Sequence, residues 1–189
     1  MILYDFCGTL VNKITTPDFV EFVLKKKPLR YIIYKFLSNR YIKLLEPHYF
    51  LFLLNRAYIE KMTEDYSVYL KFHINNLVLE SFTAEKNKFI ISAGFEDIIS
   101  AFLKSININN FELISNKFDY RFNLFIPKKR VVTGATKINF IKKDPEILYT
   151  DSLDDINLIL VSKKCFYISN ELPNILKKNK NVILLNKTS

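Results

Sequence analysis

Met1-Ile2-Leu3-Tyr4-Asp5-Phe6-Cys7-Gly8-Thr9-Leu10 opens the chain, and the reading of these ten residues decides the fold. Ile2-Leu3-Tyr4 is a short apolar run that stops at an acid. A run of this kind, closed by a polar stretch with a glycine, reads as a buried strand ending in a loop. With 3 glycines in 189 residues, Gly8 carries more information than an ordinary loop glycine, because a chain this poor in glycine keeps it where the backbone needs it.

The same grammar recurs downstream. Lys88-Phe89-Ile90-Ile91-Ser92 predicts a second strand ending at Ser92-Ala93-Gly94, and the spacing of Phe95, Ile98, Ile99, Phe102 and Leu103 predicts a helix after it. Phe111–Ser115 reads as a third strand. Tyr120–Thr133 alternates weakly around Pro127 and reads as a β-hairpin. Thr136–Ile141 begins a short helix. Ile147-Leu148-Tyr149-Thr150 is a strand ending at Asp151, and Cys165–Ile168 and Val182–Leu185 are the last two. Short apolar strands alternating with helices imply an α/β fold, a Rossmann-like parallel sheet with helices on both faces. Such sheets place ligands outside the carboxyl ends of their strands.

Residues from about Pro17 to Phe82 differ. They lack glycine, are rich in Lys and Tyr, and repeat apolar residues at helical spacing, as in Phe19, Val20, Val23, Leu24 and in Ile32, Ile33, Phe36, Leu37. Pro28 and Pro47 mark breaks between helices. The expected organisation is therefore an α/β core over 1–13 and 85–189, with a helical cap inserted over 14–84.

Composition bounds the function. Hydrophobic residues make up 49%, ample for a core. The net charge is +9, from 28 basic and 19 acidic residues, with short basic runs at Lys25–Lys27, Lys128–Arg130, Lys142–Lys143 and Lys177–Lys178. Scattered runs are ordinarily solvated faces; the alternative is attraction of an anionic substrate or surface. No helix-turn-helix, zinc-finger or RNP pattern is present, so nucleic acid is not an expected partner. Cys7 and Cys165 cannot make a disulfide framework. Asp5 interrupts any secretory h-region, and the apolar stretch near Tyr49–Leu54 is too short to span a bilayer. The expectation is a soluble protein of a reducing cytoplasm, with no pattern that specifies an oligomeric state.

Four polar clusters fall at or near predicted strand ends: Asp5–Leu10, Ser92–Gly94, Gly134–Lys137 and Asp151–Asp155. Each has an unremarkable reading. Asp5 could be a turn residue, Ser92 a helix N-cap, Lys137 one lysine among many, and Asp151 and Asp155 favourable charges at a helix start. Together they supply what phosphoryl transfer from a monoester needs: a carboxylate nucleophile, a second carboxylate to share a Mg²⁺ ion, and a hydroxyl, loop N–H groups and a lysine for the phosphoryl oxygens.

The order Asp5-x-x-Gly8-Thr9-Leu10, Ser92-Ala93-Gly94-Phe95, Gly134-x-x-Lys137 and Thr150-Asp151-Ser152-x-x-Asp155 resembles the haloacid dehalogenase-like (HAD) superfamily. The branch it is most similar to is the phosphoserine-phosphatase-like one, whose helical cap lies between the first and second motifs. The resemblance implies Mg²⁺-dependent hydrolysis of a small phosphorylated metabolite. Asp5 would be nucleophile and metal ligand, the backbone carbonyl of Cys7 the second ligand, and Asp151 the third. Ser92 and the N–H groups near Ala93 and Gly94 would hold phosphoryl oxygens. Lys137 would pair with Asp5 and neutralise phosphoryl charge. Thr9 and Asp155 would support the site, with Asp154 competing for the role of Asp155.

The pattern breaks at Cys7. Phosphatases of the superfamily usually carry there a second Asp that protonates the leaving group and activates water. A thiol, mostly protonated at neutral pH, is a weak substitute. This leaves three readings: a phosphatase for substrates whose leaving group needs little protonation, a slow phosphatase, or a catalytically impaired HAD-fold binding protein. Val11-Asn12-Lys13-Ile14-Thr15 has no acid before Asp18 to hold an amino group, which argues against phosphoserine. A basic, aromatic cap suits a sugar or polyol phosphate, as in surface-polysaccharide synthesis. A membrane-proximal role through the basic, aromatic residues 25–58 is a further alternative.

Overall fold

In the computed structural model of the chain, residues 1–41 and 46–186 are described, with the side chains of 38–41 outside that description. The elements in order are β1 (Ile2–Tyr4), α1 (Thr15–Leu24), α2 (Pro28–Tyr41), a 3₁₀ turn at Pro47–Leu51, α3 (Arg56–Leu70) with a 3₁₀ turn at Lys71–His73, α4 (Asn76–Ala84), β2 (Phe89–Phe95), α5 (Glu96–Ser105), β3 (Glu112–Asn116), β4 (Tyr120–Arg121), β5 (Leu124–Phe125), a 3₁₀ turn at Lys137–Phe140, β6 (Ile147–Thr150), a 3₁₀ turn at Leu153–Asp155 leading into α6 (Ile156–Val161), β7 (Lys164–Ile168) and β8 (Val182–Leu185).

Six strands form one parallel sheet in the order β3-β2-β1-β6-β7-β8. β1 sits in the middle. The chain builds outward on one side through β2 and β3, then returns to pair β6 with β1, Leu3 opposite Leu148 and Tyr4 opposite Tyr149. The order therefore reverses between β1 and β6, and the crevice at such a switch point is where open α/β sheets bind ligands.

Alternating side chains serve two cores. Leu3, Ile91, Leu148 and Cys165 pack on one face with Leu158 and Ile159 of α6. Tyr4, Ile90, Tyr149 and Ile168 face the other way, onto a larger cluster that includes Phe19 and Val23 of α1, Ile59 and Tyr66 of α3, and Ile98 and Phe102 of α5. Helices from the segment between β1 and β2 thus share one continuous apolar cluster with the sheet. α5 starts with Glu96 and Asp97 in its first turn and ends with Lys104 in its last, both favourable to its dipole. Pro28 occupies the first position of α2, where its missing N–H costs nothing.

Two local expectations need correction. The hairpin expected over Tyr120–Thr133 pairs Tyr120–Arg121 with Leu124–Phe125, around Phe122 and Asn123, both at positive φ; Val131 and Val132 bond to Asn116 instead. Ser92 does not end its strand: β2 runs on to Phe95. The β2–β3 register holds to Ile91 opposite Ile114 and resumes at Phe95 opposite Asn116, so Ser92, Ala93 and Gly94 bulge against a single residue. The short helix expected from Thr136 is there, as a 3₁₀ turn over Lys137–Phe140. Among the described residues no helix is long and apolar enough to cross a membrane, and both cysteines are free.

Candidate active site

Asp5 is the first residue past β1. Its backbone N–H donates to the carbonyl of Tyr149 on β6 (2.9 Å), which extends the sheet register by one residue and fixes where the side chain starts. One carboxylate oxygen, Oδ1, accepts the N–H of Phe6 at 2.7 Å. The other, Oδ2, lies 3.0 Å from Nζ of Lys137, which itself is 2.9 Å from Oδ2 of Asp155. Thr150 donates its hydroxyl to the same Asp155 oxygen at 2.6 Å. All four side chains are buried, Lys137 with 2% of its surface exposed. A lysine this deep is tolerated because carboxylate accepts from it.

Burial raises the Asp5 carboxyl, Lys137 pulls it down, and Asp155 and Asp151 push it up again, which leaves it at about 7. For Lys137, burial opposes the charge, but Asp5 and Asp155 outweigh it and the ammonium is held well above its ordinary value. With Asp5 ionised, three carboxylates (Asp5, Asp151, Asp155) against one ammonium (Lys137) give the pocket a formal charge of −3 + 1 = −2. Such an excess is what a divalent cation neutralises.

The donor set fits magnesium. Asp5 and Asp151 are hard oxygen donors leaving adjacent strands, and Gly8, at φ +74, packs so tightly on the Asp151 carboxylate that a Cβ there would overlap it. Thr9 Oγ1 donates to Asp151 Oδ1 at 3.5 Å. Among the described residues no group of three or more His, Cys, Asp or Glu side chains is arranged to hold a metal. Mg²⁺ does not require one, since it keeps several waters and takes one or two carboxylates.

Across the crevice, Ser92 is fully buried in the β2 bulge. Its Oγ accepts the N–H of Gly94 at 3.1 Å, so that N–H, expected to face phosphate, is turned onto the serine. Nor is Ser92 a helix cap: Phe95 holds that position of α5, without a side-chain bond. Cys7 Sγ lies 3.0 Å from Thr15 Oγ1 and 3.7 Å from Ser92 Oγ. Burial, then the charge of Asp5, pushes the thiol above its ordinary value despite the hydroxyls around it, so Cys7 stands in the site as a neutral S–H. Asp154 is exposed and donates its N–H to Ser152 Oγ; the contacts to Lys137 and Thr150 are made by Asp155.

Sequence reasoning missed several groups. Thr15, at the start of α1, is buried against Cys7. Thr150 reads as strand but shares Asp155 with Lys137. Asn116, at the end of β3, accepts the N–H groups of Val131 and Val132 and donates to the carbonyls of Ala93 and Val132, tying the bulge to the loop that precedes Lys137. Arg130 donates to the Ala93 carbonyl at 3.3 Å and pairs with Glu46 at 2.8 Å. A polar residue closing a strand was a signal for Asn116; Arg130, inside a basic run, had none.

The parallel sheet that reverses its order beside β1 is a fold shared with a solved HAD family hydrolase from Salmonella enterica, similar over 96% of this chain and 66% of that one, with 13% identity and a TM-score of 0.60. No family model matches the chain, and no curated protein matches it in sequence. Solved structures do. A protein of unknown function from Bordetella pertussis is similar over 97% of each chain, with 12% identity and a TM-score of 0.70. A phosphoserine phosphohydrolase-like protein from Francisella tularensis is 17% identical over 96% of this chain and 94% of its own, TM-score 0.61. A phosphoserine phosphatase in apo form is 16% identical over 96% and 92%, TM-score 0.59.

Proposed function

We propose that the chain is a Mg²⁺-dependent phosphohydrolase acting on a small phosphorylated metabolite, with residues 14–84 as a helical cap over the crevice. The observation that carries this reading is the buried Asp5–Lys137–Asp155 chain at the β1/β6 switch point. Lys137 restrains Asp5 Oδ2 and favours its ionised form. The carboxylate can then attack phosphorus, forming an aspartyl-phosphate as the ester P–O bond breaks. Ser92 Oγ and Lys137 Nζ stabilise charge on the phosphoryl oxygens. Asp5 and Asp151, with the Cys7 carbonyl, would hold the metal, which supplies charge neutralisation between carboxylate and phosphate. Phosphate release from a panel of phosphorylated metabolites, including sugar and polyol phosphates, with Mg²⁺ and with excess chelator, tests the proposal. Release that Mg²⁺ restores after chelation supports it; no release from any ester, aryl phosphate included, sinks it.

Cys7 carries a second reading, a binding protein that turns over poorly. A neutral thiol can lend a proton to a leaving oxygen but is a poor base toward water. Restoring the acid discriminates the two. Cys7→Asp is expected to raise turnover of alkyl phosphates, whose leaving groups need a proton, by up to about 10²–10⁴-fold, and of aryl phosphates much less. Matched aryl and alkyl kinetics on parent and variant check it; an equal change on both would show that Cys7 does not stand in for the acid.

A further inference from the structure

The face of α2 that points away from the protein is apolar. Leu29, Ile32, Ile33 and Phe36 are 74, 64, 47 and 58% exposed, and their spacing of three, four and seven residues puts them on one side of the helix. The opposite side does the packing: Tyr34 is buried, edge-on to Phe50, and Tyr31 and Lys35 reach Glu21 of α1. A surface helix ordinarily turns polar residues outward, so this arrangement is reversed.

Two neighbours enlarge the stripe. Arg30, on α2, donates to the carbonyl of Phe52 at 2.8 Å, bringing the turn after Pro47–Leu51 alongside the helix. Phe52 and Leu53 are each 46% exposed there. Leu53 holds φ +59, a conformation L-residues with large side chains avoid, so the fold keeps an apolar side chain at the surface in a strained turn.

The sequence that carries the stripe is charged in one sign only. From Phe22 to Leu45 the sequence has Lys25, Lys26, Lys27, Arg30, Lys35, Arg40 and Lys43 and no Asp or Glu. Those seven cations compare with a net charge of +9 for the whole chain. Lys25 and Lys35 meet Glu21, and Lys26 meets Asp65, all at the packed side. An apolar stripe with Lys27 and Arg30 next to it in sequence, on a segment without acids, is complementary to a surface that is apolar inside and anionic outside. A second copy fits worse, since a two-fold contact through this face would bring Lys27 and Arg30 of both copies together.

We propose that the outer face of α2, with Phe52 and Leu53, docks the protein onto an anionic lipid membrane, the helix lying in the interface and the cations meeting lipid headgroups. The proposal does not depend on the phosphohydrolase reading.

Sedimentation of the full chain with lipid vesicles tests it. The protein is expected to pellet with vesicles of equal phosphatidylcholine and phosphatidylglycerol at low salt, to be released as salt rises, and to stay in solution with phosphatidylcholine alone. The double variant Ile32→Ser, Phe36→Ser is expected to lose at least about tenfold in partition. Ile175→Ser, equally exposed at 65% but beyond β7, is expected to change nothing. Circular dichroism controls for folding of each variant. Failure of the parent to pellet with anionic vesicles overturns the proposal, as does binding that the double variant leaves unchanged. A parent dimer in analytical ultracentrifugation that the double variant dissolves would assign the stripe to a subunit contact, and also overturns it.

Discussion

Asp5→Asn is expected to hydrolyse phosphate esters at least about 10⁴-fold more slowly than the parent, because an amide keeps the shape of the carboxylate but cannot attack phosphorus. The fold should not suffer. The Asp5 carboxyl stands raised from 3.8 to about 7, with burial the largest cause, so in the folded state ionisation costs free energy that the unfolded chain does not incur. For an acid shifted upward, stability falls as pH climbs from 3.8 toward 7. The amide removes that cost, and Lys137 retains its 2.9 Å partner Asp155. The variant should therefore unfold in heat at or above the parent's temperature at neutral pH. Thermal unfolding beside single-substrate kinetics checks both halves. Turnover near the parental rate would remove Asp5 from the role of nucleophile.

Lys137→Met should damage both fold and activity. The ammonium bridges Asp5 and Asp155 at 3.0 and 2.9 Å with almost no exposure. Methionine matches its length but leaves two buried carboxylates facing each other. Breaking a buried ion pair on one side typically costs about 3–5 kcal/mol, or on the order of 10 °C in melting temperature for a chain of this size. Asp5, whose carboxyl Lys137 holds down, would then resist ionisation more, so the variant should recover stability as pH falls below neutrality, where Asp5 takes up a proton. Urea unfolding at acid and neutral pH measures this. A loss under about 1 kcal/mol at neutral pH, with no pH dependence, would mean that the lysine does not hold the two acids.

These two variants probe parts of the site that differ in how they could be read. Asp5 was legible because an apolar run stopped at it, and the bounds of β1, β6 and β8 coincide with the apolar runs that announced them. Lys137 was legible only by order along the chain: one lysine of many, its burial comes from a 3₁₀ turn placed behind β1. Asp154 and Asp155 were equivalent on paper. The turn at Leu153–Asp155 separates them, sending Asp155 inward to Thr150 and Lys137 and Asp154 out to solvent.

What the sequence determined by itself is local and periodic. Runs of Ile, Leu, Val and Tyr that end in Asp or Ser specify short strands, and apolar spacings of three and four specify helices such as α1 and α5, because burial rewards those periods wherever they occur. Tertiary structure decided what depends on residues distant in the chain. The extension of β2 into a bulge through Ser92–Gly94 follows from pairing with β3 and the clasp of Asn116. The shortening of the hairpin follows from Val131 and Val132 bonding to Asn116 rather than across a ladder. The neutral thiol of Cys7 follows from its burial, a few ångströms from Thr15 and Ser92. Each is set by hydrogen-bond partners and desolvation that exist only once β1, β2, β3 and β6 lie side by side, and neither enters the periodicity of a single segment.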